Sequence, residues 1–367
     1  MARCESCGKQ SPFISQTIGF CADCIRKRFE KLRDRILEVH KASRRRDGLP
    51  QEIPRSPEGK RCRICANECS IPEGERGFCG VYENRDGRVV PVSGDWRKAF
   101  LHWYYDPLPT NCCAAWVCPG CSPSGYPRYS HRDGPEYGYS NLAVFYCACN
   151  FNCLFCQNWT YRQEMDEGAL KDVDELVGAV KEGVSCVCFF GGDPTPQVVH
   201  ALIAAKEMLN RYKGRILRIC WETNGQVSTP LVHQMAEVSL RSGGCIKVDL
   251  KCWSEEMSFA LSGVSNRRQK ENFAKLVKFH RMRPEPPFLI ASTLLVPGYV
   301  DYEEVRGLAS FLSSLDPSIP WTLLAFHPDF HMRDLPTTPR VYALKCLEIA
   351  KEAGMKNVHI GNVHLLS

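Results

Sequence analysis

Asn141-Leu-Ala-Val-Phe-Tyr146, running on into Cys147-Ala-Cys149-Asn-Phe-Asn-Cys153-Leu-Phe-Cys156, is the stretch whose reading decides the fold. An apolar run of strand length delivers three cysteines spaced C-x3-C-x2-C. Three thiolates at Cys149, Cys153 and Cys156 can hold three corners of a 4Fe–4S cluster and leave one iron open to bind and reduce a ligand. A cluster used only for electron transfer normally takes four. The competing reading is a zinc site that borrows a further ligand, with Cys147 at hand just upstream.

Outward from that stretch the pattern alternates strand and helix. Strands are predicted at 141–147, 186–190, 216–221, 245–250, 288–295 and 321–326. Val173, Leu176, Val177 and Val180 recur with helical spacing, and similar helices follow Val198, Arg267, Tyr302 and Pro339. This order predicts an α/β fold whose parallel sheet curls into a partial (β/α)6 barrel of the TIM type. In such barrels chemistry sits at the C-terminal ends of the strands. The second strand runs into Gly191-Gly192-Asp193, the third into Glu222-Thr223-Asn224-Gly225, and the sixth into Phe326-His327. On the fourth, Asp249 and Lys251 flank Leu250 and so point to one side. Buried alone, either charge would be costly; the two read as a core ion pair or as ligand-binding residues, and their place at the strand's end favours the second.

The cysteine spacing followed by Gln157-Asn158-Trp159 resembles the motif of radical S-adenosylmethionine (SAM) enzymes, in particular the pyruvate formate-lyase-activating branch. The Gly-Gly-Asp turn, Thr-Asn-Gly, Asp-Leu-Lys, Val-Pro-Gly and Phe-His segments follow in the order of the glycyl-radical activating enzymes. By that resemblance Gly191, Gly192 and Asp193 contact the SAM amino group. Glu222, Asn224, Asp249, Lys251 and His327 line the SAM site, with Lys251 and His327 suited to the methionyl carboxylate. Asp193 stands where those enzymes have Glu, and Glu222 where they have Asp. Cys62–Arg88, with Gly74-Glu-Arg-Gly-Phe-Cys79-Gly, and the tail Phe326–Pro339 with Gly361-Asn-Val363 look like the radical SAM enzymes of the AmmeMemoRadiSam system. The resemblance implies a radical SAM oxidoreductase that uses a 4Fe–4S cluster and SAM, with a ferredoxin or flavodoxin as electron donor. Its substrate is left open between a protein glycyl or peptide site and a smaller molecule. A non-catalytic zinc and iron–sulfur protein that binds nucleic acid is the rival reading.

Upstream, Cys4, Cys7, Cys21 and Cys24 form C-x2-C-x13-C-x2-C, a zinc-ribbon spacing that staples a segment too small to bury a core. Ile25, Phe29, Leu32, Ile36 and Val39 then make the apolar seam of a helix with a basic outer face. Between Ile25 and Arg46 ten Lys or Arg stand against three Asp or Glu, so the net charge of +6 is local to this helix. Without aromatic interleaving it reads as a solvated surface more readily than as a nucleic-acid face. Cys62, Cys65, Cys69 and Cys79 close either a zinc site or an auxiliary cluster. Cys112, Cys113, Cys118 and Cys121 are a third group, in which the adjacent pair spoils a clean four-fold set.

The expected organisation is a zinc-ribbon module with its helix at 1–46, a linker at 47–60, a cysteine-rich module with an irregular loop at 61–140, and the barrel at 141–367. The loop at 122–140 is expected over the mouth of the active site. No apolar run reaches membrane-span length and the start lacks a signal-peptide core, so a reducing, cytoplasmic setting is expected, with the C-x2-C pairs among the twenty-two cysteines read as metal ligands.

Overall fold

The computed structural model describes all residues from Met1 to Ser367. Three short antiparallel ribbons occupy the N-terminal part: β1 (Ala2–Arg3) with β2 (Gln10–Ser11), β3 (Lys60–Arg61) with β4 (Ser70–Ile71), and β5 (Tyr82–Arg85) with β6 (Arg88–Pro91). Helix α1 (Ala22–Arg46) lies between the first two. Its seam packs as the spacing predicts, with Ile25 and Ile36 buried and Phe29 stacked on Phe259 at 5.6 Å. Arg28 leaves helical geometry (φ −134°), so the helix is kinked there.

The main sheet begins with β7 (Lys98–Pro107), β8 (Ser140–Tyr146) and β9 (Leu170–Asp172), and continues through α2 (Val173–Gly178), β10 (Val184–Gly191), α3 (Val198–Arg211) and β11 (Arg218–Thr223). After these come α4 (Thr229–Ser242), β12 (Ile246–Asp249), α5 (Glu255–Ser262), α6 (Arg267–Met282) and β13 (Leu289–Leu295). The chain finishes with α7 (Tyr302–Leu315), β14 (Trp321–Ala325), α8 (Arg340–Glu352) and β15 (Val358–Gly361). The strand order is β15-β14-β13-β12-β11-β10-β8-β7-β9. Every pair from β8 to β15 is parallel, while β7 joins β8 and β9 antiparallel. This is an α/β fold around a parallel sheet that does not close into a barrel. None of its helices is long and apolar enough to cross a membrane.

All six predicted strands are present, and β15 adds a seventh parallel one. Helices α4 and α5 were not expected. The former starts Ser228-Thr229-Pro230 and stops at Gly243 in left-handed geometry (φ 79°), local start and stop signals that the apolar period did not reinforce. Along the strands side chains alternate. Val187, Phe189, Ile219 and Trp221 belong to the main core under the helices, whereas Cys188, Cys220, Cys245 and Ile290 form a separate small cluster on the other face.

One expectation is reversed. The part of the β7–β8 loop from 122 to 139 does not cover the mouth; it packs at the opposite end of the sheet, while Cys112 and Cys113 earlier in the loop line the cavity. Glu136 is buried against Arg218 at the start of β11 (2.5 Å) and accepts from Ser185 at the start of β10 (2.7 Å). Arg218 also donates to the Tyr129 carbonyl (2.7 Å). A fully buried guanidinium needs such partners, and this loop is what supplies them. Burial would raise the Glu136 carboxyl, but Arg218 outweighs it and holds the pKa near 2.

Candidate active site

The C-terminal strand ends surround a cavity of about 650 Å³. The residues Cys149, Cys153 and Cys156 line it together with Gly191, Gly192, Asp193, Glu222, Asn224, Asp249 and Lys251. The cysteine loop follows β8 directly and is fixed on both sides. Asn152 and Leu154 donate through their backbone to Ser262 and Leu261 (2.9 Å each), and Asn150 accepts from Asn224 Nδ2 (2.7 Å). Burial pushes all three thiols up, Cys156 to about 12, and the neighbouring thiols add to the rise at Cys149 and Cys156, while Lys251 opposes it at Cys153 and Cys156. Thiols so placed become thiolates only against a strong local cation, which is the donor chemistry an iron–sulfur cluster requires.

Lys251 donates to Asp249 Oδ2, and its ammonium lies 5.7 Å from the centre of the Phe155 ring. Burial works against its charge, but Asp249 and the thiols Cys153 and Cys156 raise its pKa overall. The second oxygen, Asp249 Oδ1, is buried without a partner, so a donor from a ligand has a place to bind. Asp193 is 4% exposed and already saturated from within: Oδ1 accepts from Thr195 N (2.8 Å) and Thr223 Oγ1 (3.0 Å), and Oδ2 from Asn224 N (2.6 Å). It therefore ties the end of β10 to the end of β11. Gly191 (φ 117°) and Gly192 are needed because a Cβ at either would strike the backbone of Tyr146 or Ala148. Their bareness lets β10 close on the cysteine loop.

Glu222 sits deeper than its resemblance implies. Its Oε1 accepts from Lys247 Nζ (2.6 Å) and from the Cys112 thiol (3.1 Å). Burial would raise the Glu222 carboxyl, yet Lys247 prevails and lowers it. His327 is the one predicted site residue that the structure does not bring to the cavity. Phe326 turns inward, its N–H on Thr338 Oγ1 (2.8 Å), and His327 is left exposed.

Several lining residues escaped the sequence reading. Asn158 donates to the Gly191 carbonyl (3.0 Å), and Tyr161, Lys247 and the Cys112–Cys113 pair complete the walls. Lys247 shares the alternation of Asp249 and Lys251, so period two along β12 was a usable signal.

The other cysteine groups divide. The thiols of Cys4, Cys7, Cys21 and Cys24 lie within 4.8 Å of one another, a spacing that suits one ion. Cys62 and Cys69 are packed in one apolar cluster with Phe78, Ala148 and Phe151, and Cys79 and Cys149 flank it. Asn67 Nδ2 donates to the Asn150 carbonyl (2.8 Å), Ala66 N to Gln226 (2.8 Å) and Ser228 N to Ile64 (2.9 Å). The second cysteine module is thus fastened to the cysteine loop and to the loop after β11.

Among known proteins, the family model described as the Radical SAM superfamily matches residues 143–312. Two uncharacterised proteins of Methanocaldococcus jannaschii, MJ0674 and MJ0808, are 21% and 26% identical over 81% and 83% of this chain, and over 75% and 81% of their own lengths. A third protein of that organism, MJ1632, named as a glycyl-radical enzyme activating enzyme, is 24% identical over 48% of this chain and 64% of its own. The crystal structure of Streptococcus suis SuiB bound to precursor peptide SuiA is 17% identical with a TM-score of 0.45, covering 59% of this chain and 47%, about half, of that one. The stretch that is similar to the Radical SAM superfamily thus includes the cysteine loop and the ends of β10, β11 and β12 that line the cavity.

Proposed function

We propose that this protein is a radical SAM oxidoreductase that holds a 4Fe–4S cluster on Cys149, Cys153 and Cys156 and abstracts hydrogen from a substrate in the same cavity. The observation that carries the reading is convergence. Three thiols after β8 and, at the end of β12, a part-buried ammonium–carboxylate pair whose carboxylate keeps one oxygen unpartnered face one space. Bound there, the cluster and SAM supply a one-electron cleavage that yields methionine and a 5′-deoxyadenosyl radical.

The chain's own groups bind, orient and exclude water. Lys251 is placed for the methionyl carboxylate and Asp249 Oδ1 for the ammonium. Asn224 holds the cysteine loop through Asn150, and its amide stands 4.0 Å from the Cys149 sulfur. Phe151, Phe155 and Tyr161 wall the space against water and stray oxidants. An electron donor of the ferredoxin or flavodoxin class fits the need for a reductant. The likeness to MJ1632 supports a protein glycyl or peptide site as the target. We also assign zinc to the Cys4–Cys24 group, and zinc or an auxiliary cluster to Cys62, Cys65, Cys69 and Cys79.

The rival nucleic-acid reading is weakened, because at least four of the ten basic residues of α1 are engaged within the molecule. Arg26 pairs with Asp301, Glu303 and Glu304, Lys41 with Glu52, and Arg45 with Glu38, while Arg44 is buried on the Phe78 ring.

Anaerobic reconstitution with iron and sulfide, then reduction in the presence of SAM, tests the reading. Replacing Cys149, Cys153 and Cys156 together with Ala is expected to abolish 5′-deoxyadenosine formation. Continued formation by that variant would falsify the assignment.

A further inference from the structure

We propose that Cys112, Cys113 and Glu222 form a mononuclear site for a divalent, thiol-seeking metal ion of the zinc class on the floor of the cavity. Their ligand atoms all lie within 4.8 Å of one another, with the Cys112 sulfur 3.1 Å from Glu222 Oε1. Donors bound to one such ion at 2.0–2.3 Å stand at most about 4.6 Å apart, so small adjustments suffice to seat it.

The segment that carries the thiols is held where the site needs it. The Cys113 carbonyl accepts from Thr322 Oγ1 (2.7 Å), and Trp116 donates to the same hydroxyl (3.0 Å) while stacking on His359 at 5.3 Å. Glu222 comes from β11, so two separate parts of the chain meet here, as they do at a built site.

Charge closes the account. A divalent ion on two thiolates and one carboxylate leaves one negative charge, which is costly in a buried place. Lys247, 4% exposed, supplies the missing positive charge, with its ammonium 2.6 Å from Glu222 Oε1 and 3.2 Å from the Cys112 sulfur. It also lies 3.2 Å from the Cys188 sulfur, so it stands beside the ligands and orients them.

Only three donors come from the protein, and all three residues line the cavity. The fourth position therefore opens toward the Cys149–Cys156 side, the arrangement of ion sites that bind an exchangeable ligand. On the radical SAM reading proposed above, a substrate with a nitrogen, oxygen or sulfur donor is anchored there, opposite the cluster.

The test counts zinc in the aerobically purified full-length chain and measures its affinity by chelator competition. Cys112→Ser/Cys113→Ser is expected to lose one equivalent relative to the parent, while Cys7→Ser/Cys24→Ser keeps that equivalent and loses a different one. Glu222→Gln is expected to weaken the floor site by roughly tenfold or more. Equal zinc in the parent and the Cys112/Cys113 variant overturns the proposal, as does an increment made of iron and acid-labile sulfide. Should the double variant fail to fold by circular dichroism, Glu222→Gln decides alone, and unchanged affinity overturns the site. A parent protein that holds the floor ion but forms no 5′-deoxyadenosine after reconstitution removes the radical reading and leaves the metal site standing.

Discussion

Lys251 owes its place to alternation along one short strand. Residues 247, 249 and 251 share a side of β12 and its extension, and all three reach the cavity. Losing a charge-assisted bond to a charged ligand costs about 1.5–3 kcal/mol, so Lys251→Ala is expected to weaken SAM binding roughly 10- to 150-fold. Iron content stays normal, because Lys251 is not an iron ligand, and Lys251→Arg restores binding only in part. Titration of SAM into the reconstituted variant reads this out; unchanged affinity would return Lys251 to the role of a core ion pair with Asp249. The Asp249–Lys251 pair was legible because period two is a local signal. The use of Lys247 and Glu222 was not, because Cys112 lies 135 and 110 positions away from them. His327 shows the limit from the other side. Parity along β14 ends with the strand at Ala325, and the Phe326 anchor on Thr338 resets which side chain faces inward.

Helix α1 was legible from its seam, but its docking was not. His40 on this helix donates from Nε2 to the Ala260 carbonyl (3.1 Å) and accepts at Nδ1 from Asn152 Nδ2 (2.8 Å), the neutral tautomer these partners require. Burial holds its pKa near 4, below the ordinary 6.5. Between pH 6.5 and about 4 the unfolded chain therefore binds a proton that the folded chain refuses, and stability falls as pH falls through that window. The gap corresponds to about 3 kcal/mol at most. His40→Gln has no such proton to lose, so the stability difference between it and the parent is expected to shrink on acidification from pH 7 to 4.5. Urea unfolding at several pH values measures it; parallel profiles would mean that the imidazole titrates alike in both states. Among the other elements, β15 and α5 were missed for a physical reason. Four residues, Val358–Gly361, and eight, Glu255–Ser262, are too few to establish a period.

Across the whole molecule, the zinc-ribbon-like segment is joined to the core of the main sheet. Ile14, Ile18 and Phe20 belong to the same apolar cluster as the sheet and its helices. Tyr299 Oη accepts from Ser15 N (2.9 Å) and donates to the Phe20 carbonyl (3.1 Å), while Asp334 takes Ser15 Oγ (3.1 Å) and Gln16 N (2.6 Å). Cys7→Ser/Cys24→Ser is therefore expected to lower the unfolding midpoint of the full chain in one transition, together with the loss of one zinc. A separate early transition, with the aromatic signal of the main sheet domain unmoved, would show that the segment melts by itself. The order of modules along the chain was open to reading from cysteine spacing and charge; their attachment depends on contacts that no local pattern records.

The floor loop adds a matter of timing. Cys113 is synthesised 209 residues before Thr322, the side chain that pins it, and Glu136 precedes Arg218 by 82. At about 5–20 residues per second, the ribosome needs roughly 10–40 s to bring Thr322 to Cys113. Until Lys247 is made, 135 residues after Cys112, the thiols of the floor have no counter-charge, and until Thr322 is made nothing pins their segment. They meet whatever oxidants and metals surround the nascent chain, so the conditions of synthesis, and not only those of the finished protein, decide whether the floor is laid intact.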